Sequence, residues 1–438
     1  MRLSLLTLCL VVSQIAYAQA GLPSVRLPAP GALINPLPAD LPLRSTLEAE
    51  VRGTDLTDLR ALRIRALLRS HRDVIEADSR GNPIVRGEVL AVSPSPESLE
   101  AATQAGFSVV RESSLDELGI RIVVLHASSG TEHALKRLRT LDPDGAYDLN
   151  HIYIESGKAL EQDVPAGAAA RRNDSSSPAA QPAVGRIGLI DSGVDEAHEV
   201  FKGLMLHEHG CAGRKVADDH GTAVASLLVG QAPVFHGAAA GSELYAVDVY
   251  CGLPTGGAVD AVAEGFAWLA HEAVPVINVS LVGPANRVLE AVVQHLIARG
   301  HIIVAAVGND GPSAAPLFPA AWPGVVGVTA VDEKRRVLVE AERGPQVRFA
   351  APGAQMAAAR RPSGYVLVRG TSFAAPIVAG LLSLQLRDVD KAAADRAIAT
   401  LASEAVDLGS PGVDPVYGYG LVGEALRRQP ALAALRDK

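Results

Sequence analysis

From Gly185 onward, short and largely apolar runs alternate with stretches whose apolar positions recur every three or four residues. The runs 187–190, 243–247, 274–281, 302–307 and 325–331 lack regular apolar–polar alternation, which is the pattern of strands covered on both faces. The stretches 222–229, 259–271, 287–299 and 372–386 read as helices, with Val259, Val262, Phe266 and Leu269 on one face of the second. This alternation predicts an α/β fold: a parallel sheet with helices on both faces, binding its ligands beyond the carboxyl ends of the strands.

The preceding residues follow a different pattern. Residues 88–92 read as a strand. Ser95, Pro96 and Glu97 then supply a cap, a first-position proline and an acidic first turn, and Gly106 closes the helix. Strands at 107–111 and 120–125, a helix at 131–141 with Leu135, Leu138 and Leu141 inward, and a strand at 148–154 complete the order β-α-β-β-α-β. That is the α+β ferredoxin-like pattern, expected over 87–155. Upstream, residues 54–77 place Leu59, Leu62, Ala66 and Leu67 on one helical face and arginines on the others. Such a helix can lie on a membrane surface; packing against a neighbouring domain is the favoured reading. Residues 19–86 are therefore a Pro-rich lead-in ending in an amphipathic helix. Residues 156–183 are Gly, Ala, Ser, Pro and charge, with no packed element expected, and read as an exposed, cleavable linker to a domain over 184–438.

Composition narrows the setting. The 438 residues carry a net charge of −8 and show no basic stripe, so no nucleic-acid partner is expected. Met1-Arg2 is a basic start, residues 3–16 are nearly all apolar, and Ala16-Tyr17-Ala18 has the small-residue cleavage pattern. This predicts a signal peptide removed after Ala18 and an exported chain without a stable membrane span, secreted or periplasmic. Cys9 leaves with that segment. Cys211 and Cys251 remain and are expected to pair in an oxidising compartment, closing a loop of about forty residues worth roughly 4 kcal/mol in the chain-entropy model; two free buried thiols are the alternative. His207 and His209 sit beside Cys211, but no matching second ligand pair accompanies them, so no metal is assigned.

Chemistry collects at the ends of the predicted strands. Asp191 follows the strand 187–190, His220 stands just ahead of a helix in Asp218-Asp219-His220-Gly221, and Asn309 follows the strand 302–307. Ser372 opens a helix in Gly370-Thr371-Ser372. Each alone reads equally well as a turn or a cap. Together they supply a hydroxyl, a base that can also act as an acid, a group to orient that base, and donors for an oxyanion, which is what nucleophilic acyl transfer requires.

Residues 184–425 resemble the subtilisin-like serine proteases (subtilases). The resemblance is carried by IGLIDSGVD, DHGTAVASLL, INVSLVG, AAVGNDGP, FPAAWPGVVGVTAVD, FAAPG and GTSFAAPIVAG. It implies that Asp191 orients His220, that His220 is general base and acid, and that Ser372 attacks. Asn309 and the backbone N–H of Ser372 would form the oxyanion hole. Ser280, Leu281, Val282 and Gly283 would pair with the peptide substrate, and Val307 and Gly308 would help wall its pocket. Ala223 and Ile377 replace histidines usual in the family, and Val282 interrupts the usual SLGG; Val282 and Val307 are expected to narrow the pocket. Asp219-His220-Gly221 separates the chain from sedolisin-like relatives, which use Glu as base. No cofactor is expected; structural calcium is left open, since no site for it is readable in the sequence. The family often carries a ferredoxin-like propeptide whose tail lies in the cleft. That implies a prodomain over 87–155 acting as folding aid and intramolecular inhibitor, with a permanent accessory domain as the alternative. The expectation is a monomeric, exported serine endopeptidase acting on protein or peptide substrates. It would mature by self-cleavage between Tyr153 and Val184, through an ester on Ser372. Activity would rise as His220 loses its proton near its reference pKa of roughly 6.5. A peptide binder that does not cut and a two-lobed periplasmic binding protein are the rival readings.

Overall fold

The computed structural model describes residues 57–164, 185–233 and 235–427. The expected signal peptide at 1–18, the Pro-rich lead-in and most of the linker at 156–183 lie outside the described residues. The N-terminal part runs α1 (Thr57–Ser70), β1 (Ile75–Ala77), β2 (Pro83–Val92), α2 (Pro96–Gln104), β3 (Ser108–Leu115), β4 (Ile120–His126), α3 (Thr131–Leu141) and β5 (Ala146–His151). The strands form one antiparallel sheet, β1-β2-β4-β3, with β5 also paired to β2. Helix α2 starts where its cap predicts: Ser95 Oγ accepts from Ser98 N at 3.0 Å.

Four expectations are corrected here. The stretch 54–77 is not one helix but α1 followed by the short strand β1, and β2 begins at Pro83, ahead of the expected boundary at 87. The inward face of α1 is also rotated: Leu62 is 49% exposed, while Ile64 is buried and Leu67 and Leu68 pack on Ile75 and Ile152. Leu141 is 46% exposed, because α3 ends there and Ala134, Leu135 and Leu138 already fill the space over the sheet.

The chain continues through β6 (Ile154–Glu155), β7 (Lys158–Val164), β8 (Arg186–Asp191), β9 (Leu206–Gly210), α4 (Asp219–Val229), the hairpin β10 (Gln231–Ala232) and β11 (Phe235–His236), β12 (Glu243–Asp248), α5 (Val259–His271), β13 (Val276–Val279), β14 (Leu281–Val282), α6 (Arg287–Arg299), β15 (Ile302–Ala306), β16 (Val326–Val331), β17 (Val347–Pro352), β18 (Ala354–Ala359), β19 (Tyr365–Arg369), α7 (Thr371–Ser383) and α8 (Lys391–Glu404). Seven strands form a parallel sheet in the order β17-β16-β15-β13-β8-β12-β9. The predicted parallel sheet with helices on both faces is observed. On one face α4 and α7 pack, α7 being buried on nearly every side. On the other lie α5 and α6, whose apolar residues meet the sheet below and the N-terminal sheet above: Phe266, Leu269, Val292 and Leu296 share a cluster with Leu90, Leu115, Ile122 and Val124. Each such side chain contributes about 1.5–3 kcal/mol on full burial.

Polar contacts set the docking of the two sheets. Arg111 reaches Glu88 at 2.8 and 2.6 Å and Asp260, in the first turn of α5, at 2.7 Å. Asn286 caps α6 by accepting from Val288 N at 3.1 Å and Leu289 N at 3.2 Å, and its amide donates to Leu149 O at 2.9 Å. Asp148 accepts from Arg287 N at 2.8 Å. The free N–H groups that open α6 are thus met by side chains from both domains.

The linker expectation also changes. Residues 158–164 form strand β7, hydrogen-bonded antiparallel to β19. Cys211 and Cys251 are disulfide-bonded, with Cα atoms 5.2 Å apart, at the ends of the neighbouring strands β9 and β12. Among the described residues no helix is long and apolar enough to cross a membrane.

Replacing Asn286 by Ala removes a cap and the tie to β5 together. The Ser372→Ala chain, which lacks the candidate nucleophile, is the background in which to measure it by chemical denaturation. Asn286→Ala is expected to destabilise that chain by about 1–2 kcal/mol; an unchanged midpoint would mean that the contact carries no weight.

Candidate active site

Parallel strands deliver their last residues to one edge of the sheet. Asp191 closes β8, fully buried, and its Oδ1 accepts from Ser192 N at 2.7 Å and from His220 Nδ1 at 2.7 Å. His220 is the second residue of α4, and Asp218, the cap of that helix, accepts from His220 N at 3.0 Å. Both ends of the imidazole's attachment are therefore fixed, its backbone by a cap and its ring by a carboxylate. The ring leans on Phe373, with centroids 5.4 Å apart, and Nε2 is buried without a hydrogen-bond partner.

Ser372 is the second residue of α7 and fully buried. Its Oγ donates to the backbone oxygens of Ser156, in a short contact, and of Ser280, at 3.1 Å. The Ser156 oxygen also accepts from Ser372 N at 3.0 Å and from Asn309 Nδ2 at 2.9 Å. Asn309 is oriented by its own Oδ1, which accepts from Thr371 N at 3.2 Å. Asn309 and Ser372, far apart in the sequence, are thus brought together around one carbonyl of the chain itself. Asp191 holds His220 beside Phe373, the residue after Ser372, but His220 Nε2 and Ser372 Oγ are not hydrogen-bonded to each other.

That carbonyl belongs to a segment laid between two stretches of the larger domain. β6 pairs antiparallel with β14, Glu155 opposite Leu281 and Ile154 opposite Val282, and Ser156 N donates to Ser280 O at 3.3 Å. On the other side Ile152 bridges to Ala258, and Tyr153 N donates to Gly257 O at 2.8 Å. Gly283 lies against the Tyr153 ring, where a Cβ would come within 2.6 Å of it. The expected strand Ser280 to Gly283 therefore contacts a peptide, and Val282 takes part through its backbone. Val307 is fully buried in the apolar layer under α5 and α6. At Gly308, with φ +115°, a Cβ would come within 2.5 Å of Glu342 Oε1, so only glycine fits. At Gly157 a Cβ would meet Phe373 Cε2 at 2.8 Å and Ser372 Cβ at 3.2 Å.

Charge is concentrated around the imidazole. Burial alone would drive His220 towards its neutral form. The Asp191, Glu155 and Asp218 carboxylates outweigh burial and raise its pKa to about 9, well above the expected 6.5. Burial in turn pushes the Glu155 carboxyl up, with His220 pulling it down. Composition gives no hint of Glu155, Ser156 or Gly257, because the partners that mark them lie far away in the sequence; the one available signal is that residues 148–154 read as a strand leading into a linker.

Among the described residues, two groups hold ligand atoms close enough together for a metal. Cys211, Asp248 and Cys251 have both sulfurs in the disulfide, and Glu155, Asp191 and His220 have Nδ1 bonded to Asp191. His207 bonds Glu243 at 2.6 Å and stacks on Tyr245, and His209 stacks on Trp268, so each has a packing partner.

Comparison with known proteins follows the same residues. A family profile described as the subtilase family matches residues 185–420. Subtilisin DY of Bacillus licheniformis is 30% identical over 245 residues, which cover 54% of this chain and 88% of that protein. The minor extracellular protease Epr of Bacillus subtilis strain 168 is 29% identical over 244 residues, 54% of this chain and 37% of that protein. Among solved structures, fervidolysin from Fervidobacterium pennivorans, described as a keratinolytic enzyme related to subtilisin, matches with a TM-score of 0.66 at 18% identity. The match covers 80% of this chain and 61% of that one, and is a likeness of fold.

The electrostatic account is checked by titrating the His220 ring in the Ser372→Ala chain by NMR. A midpoint near 9 is expected. Glu155→Gln removes one of the stabilising anions, so the ring should lose its proton at lower pH. A midpoint that does not move would remove Glu155 from the account.

Proposed function

Given that the chain belongs to the subtilase family and is a serine endopeptidase, we propose that it is exported as a precursor and matures by cutting its own Ser156–Gly157 bond. The observation that carries this reading is the Ser156 carbonyl, which accepts from both Ser372 N and Asn309 Nδ2 while Ser372 Oγ lies against it. In this mechanism Ser372 Oγ attacks the Ser156 carbonyl carbon and gives its proton to His220 Nε2, while Asp191 holds the imidazole by Nδ1. Negative charge collects on the Ser156 oxygen, where two N–H donors already point. Collapse of the tetrahedral intermediate breaks the C–N bond, and His220 passes its proton to the Gly157 nitrogen. Water then repeats the sequence on the Ser372 ester, and Ser156 leaves as a carboxylate.

The segment 87–155 is the prodomain in this reading. It is supported by the docking of its sheet on α5 and α6 and by the antiparallel pairing of β6 with β14, which occupies the cleft as a substrate would. Until it departs, it inhibits by occupancy. Export is supported by the signal-like start at Met1 to Ala18 and by similarity to a relative named as extracellular. Because attack needs neutral His220, self-processing should quicken as pH rises towards about 9.

The test is expression of the full chain beside Ser372→Ala and Gly157→Val. The wild type should yield a mature form whose N-terminus is Gly157, and Ser372→Ala should stay uncut at that bond. Gly157→Val, which must displace Phe373, should slow processing by about ten- to a hundredfold. Asn309→Ala should slow it by about a hundred- to a thousandfold. A mature N-terminus elsewhere, or cutting at this bond by Ser372→Ala, would overturn the assignment.

A further inference from the structure

Beside the donors of Asn309 lies an acidic recess that the chemistry above does not use. Glu342 is fully buried. Its N donates to Gly308 O at 3.2 Å and its Oε2 accepts from Leu317 N at 3.2 Å, which anchors it against the backbone just ahead of Asn309. Its Oε1 is buried with no hydrogen-bond partner. Asp310, the residue after Asn309, is the second acid there. Burial and then Asp310 raise the Glu342 carboxyl to about 8, and burial also raises Asp310. A buried acid with an open oxygen is stable only if it is neutral or faces a cation.

A cation is present, and it comes from outside the cleft-bound tail. Arg60 of helix α1 sends Nη1 to within 3.5 Å of Asp310 Oδ2, and its side chain is only 14% exposed. Its Nε and Nη2 are buried without partners, so packing rather than a full set of hydrogen bonds holds it there. The same guanidinium draws the pKa of both acids down. The tail contributes almost nothing to this recess. The Ser156 side chain ends at Oγ, which is used by Asn309 Nδ2 at 2.8 Å and Thr371 Oγ1 at 3.1 Å. Thr371 Oγ1 in turn accepts from Gly308 N at 3.3 Å. Gly308, where a Cβ would come within 2.5 Å of Glu342 Oε1, thus links the Ser156 side chain through Thr371 to that acid.

Resting on the serine-endopeptidase reading of the cleft, we infer that the Asp310–Glu342 recess is a specificity subsite for a cationic side chain, selecting substrates with Arg or Lys immediately before the scissile bond. Arg60 fills that subsite in the precursor, where the processed bond follows a serine. Once α1 has left with the N-terminal unit, the recess faces substrate. An arriving guanidinium or ammonium meets two carboxyls; a neutral side chain leaves them unpaired.

The experiment uses mature enzyme from the self-processed full chain and fluorogenic peptides that differ only before the scissile bond, with Arg, Lys, Gln or Leu. The kcat/KM for Arg and Lys should exceed that for Gln and Leu by about tenfold or more. Glu342→Gln and, at the less buried position, Asp310→Asn should each reduce that ratio severalfold. Fluorophosphonate labelling of Ser372 is measured on every preparation. Labelled wild type that prefers Leu or Gln, or labelled variants that keep the full preference, overturns the subsite alone. Wild type that is not labelled overturns the reading on which it rests.

Discussion

The register of the parallel sheet is the constraint on which the site depends. Val279 sits opposite both Ile190 and Ala305, and Asp191 sits opposite Asp248. Because the strands run the same way and are aligned within a residue or two, the positions just after them reach a common edge. Asp191, Ser280 and the Gly308-Asn309 turn arrive there without any local sequence linking them. Two helices then start at that edge, α4 with His220 and α7 with Ser372, each placing that side chain one residue inside the first turn. Slipping one strand by a single residue would reverse its side chains and break the Asp191–His220 contact.

The N-terminal unit uses the same edge from outside. Its sheet rests on α5 and α6, so its last strand, β5, emerges directly above the cleft. Residues 152–156 then continue as an extended chain between two stretches of the larger domain, satisfied by backbone hydrogen bonds on both sides. Such bonds are indifferent to side-chain identity, which is why a tail of this composition can fill the cleft. Side chains meet walls in few places there, Phe373 against Gly157 and Tyr153 against Gly283 among them.

Much of this was legible in the chain itself. Helices 259–271 and 287–299 end where their apolar periodicity says they should, the second also between Asn286 and Gly300, because long amphipathic helices carry their signal locally. The motif residues were legible because each pairs an unusual side chain with a turn or a cap. Other features were not. The strands β17 and β18 contain many alanines and little of the β-branched signal, and they are strands because neighbouring strands complete their hydrogen bonds. β7 looks like linker for the same reason, since its order comes from β19. In α1, Leu62 fits the helical stripe yet faces solvent, because the surface it meets is rotated relative to that stripe. Glu342 and Arg60 lie almost three hundred residues apart, and no local pattern joins a buried acid to a distant cation.

The disulfide, beside Asp248 on the strand next to Asp191, bears on how the molecule lasts. β9 is the last strand of the sheet, so one of its edges has no neighbouring strand in that sheet, and edge strands are where a fold first frays. Cys211 follows β9 and Cys251 follows its neighbour β12, so the bond staples the two strands at their common end. Stapling that strand to its neighbour makes peeling rarer, and a stretch that does not peel does not offer the extended shape that proteases cut.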